Sequence, residues 1–213
     1  MTDHEYKTIF LHFVKTGGSS IERCFNSGDG YRETTYKKEG HPNRIIKEEH
    51  HTSSKKYISL NGKEIWDEYF KFSFVRNPWD WFVSHFLWDI EVYNQNKKKG
   101  LPQKYRRRFI VEECDADFEK YVRKGSERPN WFKFPSMKEF CDGVDYIGRF
   151  ENLQLNFDEI CDKISKPRMN LPRLKASSGR LHYSHYYNEE TSEMIYNVMK
   201  EDVEHFKYKF EKE

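Results

Sequence analysis

Residues 9–20 read Ile9-Phe10-Leu11-His12-Phe13-Val14-Lys15-Thr16-Gly17-Gly18-Ser19-Ser20, and this stretch decides the fold. The apolar run Ile9–Val14 has the length and composition of a buried strand. Gly17-Gly18 ends it, and Ser19 or Ser20 is placed to cap a helix running through Ile21 and Phe25. A strand, a glycine loop and a helix start together form an anion site, because unpaired N–H groups point outward there. Glycine lets the backbone curl and approach a ligand closely. Thr16, Ser19 and Ser20 add hydroxyls, and Lys15 adds a mobile positive charge. This is phosphate-loop physics. The lysine precedes the glycine pair, whereas an ATP-binding Walker loop carries Lys and Ser/Thr after its last glycine. The order argues against an ATPase or a kinase.

Outward from that loop, residues 26–48 read as loop, with Gly28, Gly30, Gly40 and Pro42. Ile65, Trp66, Tyr69 and Phe70 have helical spacing. A second strand covers Lys71–Arg76, and Asn77-Pro78 then starts a helix to about Tyr93, with Phe82, Phe86 and Ile90 on one face. Arg76 falls at the carboxyl end of its strand, where open α/β sheets bind ligands. An arginine there can grip a phosphate bidentately, and Ser84, two turns into the helix, can add a hydrogen bond. Residues 94–108 are rich in Lys and Arg and read as an exposed insertion with a solvated basic face. Trp131, Phe132 and Phe134 can stack on a sugar, though core packing is the ordinary use of such residues.

Phe109–Lys124 has helical character, Val144–Phe150 reads as a third strand and Leu153–Ile164 as a helix. Residues 165–187, with Pro167, Pro172 and Gly179, read as loop. A last helix starts near Asn188 and carries Met194, Ile195, Val198, Met199, Val203 and Phe206 as its apolar stripe. Strands separated by helices predict an α/β protein. The expected architecture is a P-loop-like three-layer fold, with a central, mainly parallel sheet flanked by helices, as a single domain over residues 1–213.

Composition excludes several classes. The chain combines a mean hydropathy of −1.01 with 17% aromatic residues, so Phe, Tyr and Trp must build much of the core. A formal charge of +2 gives no global field for nucleic acid, so any anion site is local. Cys24, Cys114, Cys141 and Cys161 form no CxxC pair and have no zinc-ligand spacing, so no metal is expected and reduced thiols are. No apolar run reaches the roughly 18 residues needed to span a membrane. The polar start Met1-Thr2-Asp3-His4-Glu5 does not look like a leader, and a cytoplasmic location is expected.

Four blocks of the chain together resemble the PAPS-dependent sulfotransferases (PAPS, 3'-phosphoadenosine 5'-phosphosulfate), in particular the carbohydrate and Golgi-type branch, similar to sulfotransferase family 2, with its bacterial and viral relatives. The family's opening pattern, H-x-P-K-T-G-G-T-S, stands here as His12-Phe13-Val14-Lys15-Thr16-Gly17-Gly18-Ser19-Ser20. Its second, F-V-R-N-P-Y-D-R-x-V-S, stands as Phe74-Val75-Arg76-Asn77-Pro78-Trp79-Asp80-Trp81-Phe82-Val83-Ser84. Ile147-Gly148-Arg149-Phe150-Glu151-Asn152-Leu153 looks like its strand-to-helix segment. Tyr186–Thr191 with Asp202–Phe210 looks like its C-terminal end. Val14 replaces the usual proline. Trp81 replaces a common arginine and removes any charge contact at that position.

The resemblance implies a sulfotransferase with PAPS as donor and no metal. By it, Lys15, Thr16, Gly17, Gly18, Ser19 and Ser20 hold the 5'-phosphosulfate, and Arg76 and Ser84 hold the 3'-phosphate. Arg180 would close over the nucleotide. The acceptor implied is a carbohydrate hydroxyl, with lipid and peptide hydroxyls open. In-line transfer needs a base for that hydroxyl. Glu48-Glu49-His50-His51-Thr52 lies where this branch carries one, and His51, in His-Thr-Ser, matches better than His50. Lys15 would stabilise charge on the leaving oxygen. His12 reads as packed in the strand, and Glu48 and Glu49 as solvated. A non-catalytic nucleotide- or glycan-binding module and a small-molecule kinase are the alternatives.

Overall fold

Phe10 stacks on Phe72 at 4.9 Å and meets Phe74 edge-on at 6.4 Å, and these three rings anchor the main sheet. The computed structural model describes residues 1–25, 32–36, 44–48, 51–132, 135–174 and 180–213, with backbone alone for 32–36 and 44–48. Strands are β1 (Thr2–Asp3), β2 (Thr8–Leu11), β3 (Arg32–Tyr36), β4 (Arg44–Glu48), β5 (Phe70–Val75) and β6 (Tyr146–Arg149). Helices are α1 (Gly18–Cys24), α2 (Ser54–Asn61), α3 (Lys63–Glu68), α4 (Pro78–Lys98), α5 (Tyr105–Arg108), α6 (Phe118–Ser126), α7 (Met137–Phe140), α8 (Leu153–Lys163), α9 (Glu189–Val198) and α10 (Lys200–Phe206). Contacts group these into two compact units, Met1–Arg76 with Met137–Ser177, and Asn77–Ser136 with Ser178–Glu213.

The first unit holds a four-stranded sheet of order β1-β2-β5-β6. β2, β5 and β6 are parallel and β1 is antiparallel, so the α/β reading with a mainly parallel sheet stands. Pairing of Leu11 with Ser73 and of Val75 with Arg149 brings the carboxyl ends of the three parallel strands to one edge. Side chains alternate across the sheet. One face sends Phe10, Phe72 and Phe74 into a core with Ile21, Cys24 and Phe25 of the α1 segment and Phe157, Ile160 and Cys161 of α8. The opposite face meets α3, where the Lys71 ammonium stands 5.8 Å from the Trp66 ring. All four cysteines are buried free thiols, and burial pushes Cys161 up to about 11.

Residues 26–48, expected as loop, instead contain a hairpin. β3 and β4 pair antiparallel, Arg32 opposite Glu48 and Tyr36 opposite Arg44. Thr34, Thr35, Tyr36, Ile45 and Ile46 are good strand formers, and Gly28, Gly30, Gly40 and Pro42 lie outside the described residues. The expected run of helix through Tyr69 and Phe70 is also corrected. α3 stops at Glu68, because Phe70 is needed in β5, opposite Thr8.

In the second unit, Asn77 caps α4 through Trp79 N–H at 3.1 Å, with Pro78 following, as its sequence predicted. The helix runs on to Lys98, so residues 94–98 of the expected insertion are helical. Lys97 and Lys98 are exposed, but Arg107 is buried at 3.2 Å from Asp89. Burial opposes the charge of Asp89. His85, Arg106 and Arg107 outweigh it and hold the carboxyl below its ordinary range. Trp81, which stands where the resemblance expected arginine, is fully buried beside His85. Phe132 packs on Phe82 at 5.2 Å and Trp131 on Phe109 at 4.5 Å, which is core packing; Phe134 lies outside the described residues. An Asn188–Thr191 capping box opens α9. No described helix is long and apolar enough to cross a membrane.

Candidate active site

The loop after β2 turns on two left-handed residues, Lys15 with φ 65° and Gly17 with φ 81°. Gly17 also caps α1 by its backbone, with no side-chain cap, so the expected Ser19 or Ser20 cap is replaced by a glycine turn. Gly17 suits glycine by its φ, which disfavours a side chain; an added Cβ would also lie 2.8 Å from the tip of Leu153, which would have to shift. Thr16 is fully buried and its hydroxyl donates to Phe13 O at 2.7 Å. That bond braces the turn and commits the Thr16 hydroxyl proton. Ser20 is buried and its N–H donates to Gly17 O at 3.0 Å, while Ser19 is half-buried.

Arg76 follows β5 and reaches this loop. Its Nη1 donates to Lys15 O at 2.9 Å, and its guanidinium lies 3.9 Å from the Phe150 ring centre. A cation on an aromatic face is held in plane and pre-oriented. Residues 61 positions apart are thereby joined, and both stand at the carboxyl edge of the sheet. Phe150 is a supporting residue that sequence reasoning did not single out. Its place directly after β6, beside Arg149, was the available signal.

His51 lies two residues ahead of Ser53, the cap of α2. It is exposed, has φ 59°, and its Nδ1 is 2.9 Å from His12 O. A carbonyl only accepts, so Nδ1 carries the hydrogen and the neutral ring has its lone pair on Nε2. The two histidine rings meet edge-on at 4.7 Å. His12 is buried, as expected for a strand residue, and its Nδ1 stands 3.0 Å from Glu22 Oε1 of α1. Glu22 is a second residue missed in the sequence, where it reads as a helix-surface acid. Glu49 and His50 lie outside the described residues, as does the Glu48 side chain.

The first unit therefore brings Lys15–Ser20, Arg76, His12 and His51 together. Ser84 and Arg180 belong to the second unit. Ser84 is buried on α4. Arg180 donates to Asp80 O at 3.1 Å and forms an ion pair with the Asp80 carboxylate. The buried Arg180 Nε has no hydrogen-bond partner among the described residues. The donors that the first unit itself brings together, Lys15, Arg76 and the loop hydroxyls, suit a phosphorylated ligand.

Gly18 gives a direct test of the loop. An added Cβ would lie 2.1 Å from His12 Cδ2, far inside contact distance. Gly18→Ala is expected to displace His12 or the loop at a cost of about 1–3 kcal/mol. Thermal unfolding should show a lowered Tm, and titration with 3',5'-ADP a weakened affinity; unchanged values for both would show that the loop tolerates the side chain.

The family described as "Sulfotransferase family" matches residues 1–209 of the chain. No curated protein and no solved structure matches.

Proposed function

The chain belongs to the sulfotransferase family and its chemistry is sulfuryl transfer, and on that premise we propose that PAPS is its donor and a carbohydrate hydroxyl its acceptor, with His51 as base. The observation that carries this reading is the bond from Arg76 to Lys15 O, which ties the two anion-binding motifs into one site. A donor with both a 5' and a 3' anion needs two such motifs, and a nucleoside triphosphate does not.

PAPS supplies a sulfuryl group on a phosphate leaving group. Lys15 and the loop N–H groups oppose the negative charge that grows on the leaving oxygen in a loose, in-line transfer. In this reading Arg76 and Ser84 hold the 3'-phosphate, and Arg180 closes over the nucleotide. His51 Nε2 takes the proton from the attacking hydroxyl while Nδ1–H stays on the His12 carbonyl, so the ring keeps one orientation through the step. The buried thiols take no part. A cytoplasmic location accords with this donor.

Incubation with labelled PAPS and a panel of neutral and acidic glycans tests the reading, beside thermal shifts with 3',5'-ADP and with ATP/Mg²⁺. Expected are label transfer to a glycan and stabilisation by 3',5'-ADP alone. Stabilisation by ATP/Mg²⁺ alone would overturn the donor assignment. Binding of 3',5'-ADP with no transfer to any glycan, lipid or peptide hydroxyl would identify a binding module instead.

A further inference from the structure

His12 and Glu22 form a buried polar pair in an otherwise apolar setting. Ile9, Phe10, Leu11 and Phe13 around His12 are at most 2% exposed, and Glu22 follows Ile21, which is fully buried. The side chains of the pair are 9% and 8% exposed and meet at 3.0 Å. Burying an ionisable pair costs more than burying two apolar side chains of the same size. Packing alone therefore does not account for the choice.

What distinguishes His12 is the number of site parts it touches. The Cδ2–Nε2 edge of its ring lies against Gly18, so closely that a Cβ there would fall 2.2 Å from Nε2. Its carbonyl accepts from His51 Nδ1 at 2.9 Å. Its ring stands edge-on to the His51 ring at 4.7 Å and 72°. One residue thus contacts both the anion loop and the group read as base. Glu22, on the first helix after the loop, fixes the ring by accepting from Nδ1, because a carboxylate selects the Nδ1–H form.

We propose that His12 and Glu22 are a positioning pair that sets the place of His51 Nε2 relative to the sulfuryl group held on the loop. Neither residue touches the reacting atoms. The inference rests on His51 being the base. Its consequence is geometric: loosening the His12 ring lets the base and the anion loop drift relative to each other, and displacements of about 1 Å cost up to about 10²-fold in rate.

The test uses Glu22→Gln, His12→Gln and His51→Ala, each assayed with PAPS and for 3',5'-ADP affinity. Glu22→Gln keeps shape and removes the carboxylate. His12→Gln keeps a donor for Glu22 and removes the ring, which keeps the question open to test should the first variant unfold. Both are expected to lower kcat about 10- to 100-fold, with 3',5'-ADP affinity changed less than about threefold. In Glu22→Gln the ring nitrogen shifts of His12, which report the hydrogen bond at its Nδ1, should also change. Unchanged kcat in both variants with an inactive His51→Ala would overturn the pair and leave the base assignment standing. Equal losses in kcat and in 3',5'-ADP affinity would reduce the pair to a structural brace of the loop. A fully active His51→Ala would instead overturn the base assignment, and the pair with it.

Discussion

Lys15→Ala is expected to lower kcat by about 10²–10³-fold, the size seen when one donor to a developing oxyanion is removed. The substitution is clean for a backbone reason. Lys15 sits at φ 65°, and alanine meets the same left-handed penalty as lysine, so the loop is not newly strained. The Lys15 carbonyl, which holds Arg76, is also kept. What disappears is the side chain that carries the ammonium. Its role lies mainly in the transition state, where charge grows on the leaving oxygen, so the effect should fall on kcat. Affinity for 3',5'-ADP, which lacks the sulfuryl group, should weaken by less than about tenfold. Single-turnover transfer with PAPS reads the first and calorimetric titration the second. A kcat within twofold of the wild type would remove Lys15 from the mechanism.

His51→Ala should cost about 10² or more in turnover, the usual scale of a general base. The base must be neutral to accept a proton, so wild-type kcat/KM is expected to show a limb that rises with pH. The variant should lose that rising limb, and its residual rate should be flat there. Donor affinity should not change, since the proposed base acts on the acceptor hydroxyl and its Nδ1 is held by His12 O. A variant that keeps full turnover and the rising limb would shift the search to His50.

These two experiments separate contributions that the sequence merges. Lys15 was legible because its chemistry is local: a strand, two glycines and a helix start within ten residues. The cap of α4 by Asn77 and the start of a helix near Asn188 were legible for the same reason, since a cap and the N–H it satisfies lie two or three residues apart. The hairpin β3–β4 was not. Its two short segments look like loop until each finds the other as a partner, and strand pairing is a property of two segments, never of one.

The site divides in the same way. The residue types and their order (Lys15 ahead of Gly17-Gly18, Arg76 at a strand end, His51 before a helix cap) stood in the sequence, and with them the α/β class and the family. Tertiary structure decided what each group is attached to. Arg76 meets the loop across 61 residues, His51 meets His12 across 39, and Arg180 meets Asp80 across 100. It also turned Thr16 from a ligand hydroxyl into a brace, and made Glu22 the partner of His12. The physical reason is reach. Turns, caps and strand propensity are set by neighbours along the chain, whereas a buried guanidinium, carboxylate or imidazole takes whichever partner the packed strands and helices bring within about 3 Å.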